Sequence, residues 1–119
     1  MDQSFPKKEH LKSAERISQI YRQGEKVKQS FLLLYFIAST EDANRLALAV
    51  PKRRVALAVN RNRIKRKLKE VYRQNKGLLK AEESYDFILM YLGSEAPEYQ
   101  KLERAFLKLC EKWRNSRAV

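Results

Sequence analysis

Between Pro51 and Lys76 the chain reads PKRRVALAVNRNRIKRKLKEVYRQNK, eleven basic residues against a single acid, Glu70, for a net charge of +10. Within this stretch Ile64, Leu68, Val71 and Tyr72 recur at helical spacing among the cations. A helix with so narrow an apolar stripe buries one side only, so the rest of the chain must cover that stripe and leave the cationic remainder outside. Like charges at i, i+4, here Arg61 with Lys65 and Lys65 with Lys69, each cost a few tenths of a kcal/mol. A bound polyanion offsets that cost, because phosphates neutralised by Lys and Arg release their counterions. The whole chain carries +12, so nearly all of its excess charge lies in this one segment.

The flanking elements are read from the same local signals. Ala14, Ile17, Ile20 and Tyr21 predict a short amphipathic helix over residues 13–23, with Ser13 as N-cap and Gly24 as stop. SFLLLYFIA, residues 30–38, predicts a strand, and RLALAV, residues 45–50, a second; the polar loop between them predicts an antiparallel pair. YDFILMYL, residues 85–92, predicts a strand parallel to the second across the basic helix. A last helix follows Pro97 and buries Leu102, Phe106, Leu109, Cys110 and Trp113. From Lys80 to Val119 seven basic residues balance seven acidic ones, so this end of the chain adds no net charge.

The 119 residues suit one domain spanning 1–119, with 1–10 and 115–119 expected to be flexible. No apolar run reaches the roughly 20 residues of a membrane span, and MDQSFPKKEH lacks a secretory signal, so a cytoplasmic protein with no membrane partner is expected. A pI near 10.0 admits nucleic acid, an anionic membrane or an acidic protein as partner, and the exposed side of the basic segment has too little apolar surface for lipid.

Catalytic chemistry is poorly provided for. His10 is the one histidine and Cys110 the one cysteine, which rules out paired-histidine cleavage, an internal disulfide and a multi-cysteine zinc site. Asp2, Glu41, Asp42 and Asp86 are scattered rather than convergent, as a two-metal nuclease would need. Tyr21, Tyr35 and Phe36 are stacking candidates for unpaired bases, although alternation along a strand exposes at most part of that set. Asn62, between Arg61 and Arg63, is either a hydrogen-bonding group for a base edge or an exposed helical Asn. On these features a structural or ribosomal RNA-binding protein and a DNA-binding module both stay open.

The run RLALAV, PKRRVALAV, NRNRIKRKLKEVYR closely resembles the signature region of the bacterial ribonuclease P protein component, marked by Arg-Asn-Arg followed by Ile-Lys-Arg. The resemblance extends over residues 5 to 114. LKSAERISQIYRQGEKV looks like the family's first helix, FLLLYFI like its first strand and YDFILMYL like its last. It implies a two-layer α/β sandwich of order αβββαβα, similar to the second domain of ribosomal protein S5, with a left-handed β-α-β crossover. It also implies the function: a protein, monomeric when free, that joins a catalytic RNA subunit and promotes removal of the 5′ leader from precursor tRNA. Magnesium (Mg2+) is then held by the RNA and not by a protein site. Arg61, Asn62, Arg63, Lys65, Arg66 and Lys69 would face the RNA subunit. Ile17, Tyr21, Tyr35, Lys52 and Arg53 would line the leader cleft, with Ile17 standing where many members carry Phe. Tyr91 falls at a position often basic in the family, which leaves a leader contact there open.

Overall fold

The computed structural model describes residues 5–117. Its elements follow the order α1 (Ala14–Gln23), β1 (Glu25–Gln29), β2 (Leu32–Ser39), β3 (Arg45–Ala49), α2 (Ala58–Asn75), β4 (Ser84–Tyr91) and α3 (Tyr99–Arg117). Short 3-10 turns at Lys7–Glu9 and Lys76–Leu79 precede α1 and follow α2. The αβββαβα order expected from the family is therefore present.

The four strands form one sheet in the order β1-β2-β4-β3. β4 pairs antiparallel with β2 and parallel with β3, so the basic helix is the crossover of a β-α-β unit, as its length required. Two expectations fail here. β2 and β3 are not an antiparallel pair, because β4 inserts between them. FLLLYFI belongs to the second strand, not the first: Glu25–Gln29, sequence EKVKQ, pairs ahead of it as an edge strand. Charged side chains are a common device of exposed edges, and they hide this strand from a search for apolar runs.

Strand alternation divides the side chains between two faces. Leu32, Leu34, Phe36, Leu46, Phe87 and Leu89 point to one side and meet Ile64, Leu68, Val71 and Tyr72 of α2 with Leu102, Phe106, Leu109 and Trp113 of α3. Each such side chain contributes roughly 1.5–3 kcal/mol on full burial. Trp113 anchors this layer, with ring centroids 5.3 Å from Phe87 and 5.4 Å from Tyr85. On the other face α1 seats Ile20 against Ile88 and Leu11.

Residues 5–10 form a packed strap. Phe5 stacks on His10 at 3.9 Å and tilts against Tyr72 at 5.2 Å, while Leu11 N donates to Leu46 O. At the other end α3 continues through Asn115–Arg117. Met1–Ser4, with Asp2 among them, and residues 118–119 lie outside the described residues.

α1 begins as predicted: Ser13 Oγ accepts from Arg16 N at 3.2 Å. It ends at Gly24 for a different reason than a left-handed backbone. Gly24 has φ −73°, and a Cβ there would lie 2.6 Å from Ile20 O and 3.1 Å from Phe36 O. The glycine permits close approach of helix to sheet. Gly24→Ala should lower unfolding stability by about 1–3 kcal/mol, the usual cost of overpacking. Denaturant titration checks this, and a loss below about 0.5 kcal/mol would mean that the corner relaxes freely.

Candidate nucleic-acid interface

The face of the sheet that carries α1 is only partly covered. Register aligns Lys26, Tyr35, Ile88 and Ala47 in one row and Lys28, Leu33, Met90 and Ala49 in the next. α1 covers the first row, where Ile17 and Tyr35 pack beside Ile20 and Ile88. In the second row Leu33 and Met90 belong to neither core cluster and are only partly buried. The result is an apolar shelf beside the helix.

Tyr21, from the last turn of α1, stands 41 % exposed at the rim and meets Tyr35 edge to face at 4.9 Å. Burial, then the neighbouring Tyr35, raises the pKa of the Tyr21 hydroxyl, so it stays neutral and does not repel phosphate. Lys26 Nζ lies 5.9 Å from the Tyr35 ring centroid, within cation–π range. No sequence signal singles out Lys26, because the polar strand that carries it has no apolar pattern. Phe36 points to the core and is 3 % exposed, so strand alternation removes it from the stacking set.

At the far end of the shelf, β3 runs into a turn in which Arg54 N and Val55 N both donate to Pro51 O. Lys52 and Arg53 are exposed on it, and Arg54 Nη1 donates to Leu92 O at 2.6 Å, tying the turn to the strand end. Of the residues expected for the leader, Ile17, Tyr21 and Tyr35 come together beside α1, while Lys52 and Arg53 are exposed on the turn after β3. Tyr91 does not join them. It is 3 % exposed on the core side, edge-on to Phe31 at 5.6 Å, and its hydroxyl donates to Glu95 O.

The basic helix presents a second cationic surface, on the opposite side of the sheet. Ile64, Leu68, Val71 and Tyr72 are buried, which turns Asn62, Arg63, Arg66 and Lys69 outward, with Lys65 half-buried at the edge. Other basic residues are committed within the protein. Arg61 Nη1 donates to Val55 O and Ala56 O, Lys67 Nζ to Pro97 O, and Arg73 pairs with Glu70 at 2.6 Å. Lys76 is buried and pairs with Glu9 at 2.9 Å. The accessible charge is therefore concentrated in the first half of α2.

α1 is tied to the sheet by a buried carboxylate. Asp86, fully buried on β4, accepts from Arg16 Nε at 2.7 Å and from Arg45 Nε and Nη2 at 2.8 and 2.7 Å. Burial alone would raise its pKa, but the hydrogen bonds from Arg45 and Arg16 outweigh that and hold it below the usual carboxylate range. A lone acid inside YDFILMYL is the sequence signal for this knot.

Among the described residues no side chains converge as a metal cage. Burial pushes the Cys110 thiol up to about 12, so it stays protonated. Among the described residues no three of His, Cys, Asp and Glu gather as metal ligands, and no helix is long and apolar enough to cross a membrane. A cavity of about 360 Å³ between Lys8, Asp42, Tyr72 and Glu83 mixes acids with bases and lies apart from the cationic surfaces.

A family model described as Ribonuclease P matches residues 5–114. The chain belongs to the ribonuclease P protein family. Among curated ribonuclease P protein components, that of Natranaerobius thermophilus is 31% identical over 103 residues, covering 86% of this chain and 87% of its own. The component from Clostridium kluyveri is 32% identical over 94 residues, covering 78% and 83%. The RNase P protein of Staphylococcus aureus superposes with a TM-score of 0.75 at 20% identity, over 88% of this chain and 94% of its own. That of Thermotoga maritima gives 0.74 at 20% identity, over 87% and 96%. The fold is thus the ribonuclease P protein fold, and membership makes the chain the protein component of the tRNA-processing ribonucleoprotein ribonuclease P.

Proposed function

We propose that this chain is the non-catalytic subunit of an endoribonuclease whose RNA subunit performs the hydrolysis. Arg63 and Arg66, with Asn62, Lys65 and Lys69 beside them, anchor the protein on that RNA through phosphate contacts. Arg61 contributes by closing the loop that starts the helix and, with its remaining N–H groups, by reaching the same phosphates. Magnesium would be held by the RNA subunit rather than by a protein site and would supply the hydrolytic chemistry there, while the protein holds substrate in register. It works in the cytoplasm and is monomeric when free.

The observation that carries the substrate part of this reading is the Tyr21–Tyr35 edge-to-face pair with Lys26 over the ring, set beside an open apolar shelf. Stacking faces next to cations suit a single strand, whose bases stack and whose phosphates pair with Lys. Precursor tRNA offers such a strand as its 5′ leader, which mature tRNA lacks. Lys52 and Arg53 meet the leader's phosphates at the other end of the shelf.

The test is cleavage of a 5′-extended precursor tRNA at low magnesium by the cognate catalytic RNA, with and without the protein. A large gain in turnover is expected; tight general RNA binding without a gain would instead favour a structural RNA-binding role. Within the holoenzyme, Tyr35→Ala should weaken precursor binding by about 1–3 kcal/mol while leaving mature tRNA unaffected. Equal losses for both tRNAs would remove the leader from this cleft.

A further inference from the structure

Ala56, Leu57, Ala58 and Val59 are four consecutive apolar residues, and all are exposed. Leu57 is 62 % and Val59 59 % exposed, the largest values among the exposed large hydrophobics. Such a run on a folded surface normally marks a contact.

Its exposure is enforced by the frame around it. Val55, just before, is buried, and Val55 N donates to Pro51 O at 3.1 Å. Arg61 Nη1 grips Val55 O at 3.0 Å and Ala56 O at 2.7 Å, and Asn60 N and Arg61 N both donate to Leu57 O at 3.1 Å. The apolar residues therefore cannot swing inward to find cover. On α2, Val59, Arg63 and Arg66 follow at i, i+4 and i+7, so they share the face opposite the buried Ile64 and Leu68.

The charge around the run decides what covers it. Arg53 precedes it and Arg63 and Arg66 follow it, all exposed. A second copy would bring two chains of +12 together at their most basic segments, which Coulomb repulsion opposes. A nucleic acid supplies both things the surface asks for: phosphates for the arginines, and the apolar face of an unpaired base between them.

We propose that Leu57 and Val59 form an apolar seat for an unpaired nucleotide of the ribonuclease P RNA subunit, with Arg63 and Arg66 on its flanking phosphates. This rests on the RNA-subunit reading given above. The RNA subunit is the occupant rather than the leader because the run is continuous with the outer face of α2. The aromatic shelf belongs to the other face of the sheet.

The experiment titrates the cognate RNA subunit with wild-type protein, the double variant Leu57→Ser/Val59→Ser and the control Leu107→Ser, across a salt series. Leu107 is exposed on a different helix, α3. The double variant should bind about tenfold more weakly at every salt concentration, since the base loses its apolar seat. Its log–log salt slope should be unchanged because every phosphate keeps its cation. Its thermal midpoint should match wild type. Unchanged affinity, a reduced slope, or an equal loss in Leu107→Ser would each overturn the proposal. So would a wild-type dimer that the double variant abolishes, which would give the seat to a second copy. Wild-type protein that fails to prefer this RNA over a size-matched RNA would instead overturn the functional reading itself.

Discussion

Replacing Asp86 with Ala should lower the unfolding free energy by about 3–5 kcal/mol, the usual consequence of removing one partner from a buried ion pair. Asp86 is fully buried and accepts three charge-assisted hydrogen bonds from Arg16 and Arg45, whose side chains are themselves only 21% and 24% exposed. Deleting the carboxylate leaves the Arg16 guanidinium unpaired beside the sheet and Arg45 with only the exposed Glu41, 3.9 Å away. Arg16 would keep its bonds to Gln19 and to Ala38 O, but no counter-charge. Because Arg16 belongs to α1 and Arg45 to β3, the same deletion loosens the helix that forms one wall of the shelf. Precursor selectivity should therefore fall along with stability. Denaturant unfolding of the variant measures the first effect, and a loss under about 1 kcal/mol would show that water replaces the carboxylate at little cost.

The pH dependence carries the same signature. The Asp86 pKa is lower in the folded chain than the unfolded value near 4. Its contribution is therefore fully present above that value and is lost as pH falls through the folded pKa. Wild-type stability should drop in that acid window, and Asp86→Ala should lack this part of the slope. Identical acid profiles would disconnect Asp86 from the linkage.

Arg63→Ala combined with Arg66→Ala should be the most damaging change to assembly. Both arginines are exposed in the first half of α2, and neither has an intramolecular partner among the described residues. A phosphate contact by Arg is charge-assisted and frequently bidentate, worth about 1.5–3 kcal/mol. Without both, binding to the RNA subunit should weaken by at least about a hundredfold at low salt. The salt slope should flatten by roughly 0.7–0.9 for each phosphate left without its arginine. Arg61→Ala is a different experiment, since it also opens the loop carbonyls at Val55 and Ala56, and part of its effect will be on stability. A double variant with an unaltered salt slope would take Arg63 and Arg66 off the phosphate interface.

Several elements are readable in the chain because their signals are local. The stripe Ile64, Leu68, Val71 and Tyr72, the Ser13 cap, the apolar strand YDFILMYL and the buried face of α3 all depend on residues within a few turns of one another. Observed burial follows each of them. The Arg-Asn-Arg and Ile-Lys-Arg signature likewise points to the family from one contiguous run, and membership is shown over residues 5–114. β1 escapes such a reading because EKVKQ is polar: an edge strand is held by backbone pairing to β2, which side-chain periodicity does not record. The expected pairing of β2 with β3 fails because strand partners follow from how sheet and helices pack, not from neighbourhood in the chain.

The order of residues alone is enough to require a helix that is cationic outside and apolar within, and a sheet to cover its stripe. Those properties are set by composition and short-range spacing, so they hold before any long-range contact forms. Which cations stay accessible is settled only in the folded molecule. Folding turns Arg61 back onto its own loop, buries Lys76 against Glu9 and pairs Arg73 with Glu70, while leaving Arg63 and Arg66 outside. It also places Lys26 over Tyr35 and closes Asp86 between Arg16 and Arg45, joining residues as many as 70 positions apart. A charge becomes accessible or committed through the partner that packing brings within about 3 Å of it, and that distance is a property of the fold rather than of the string.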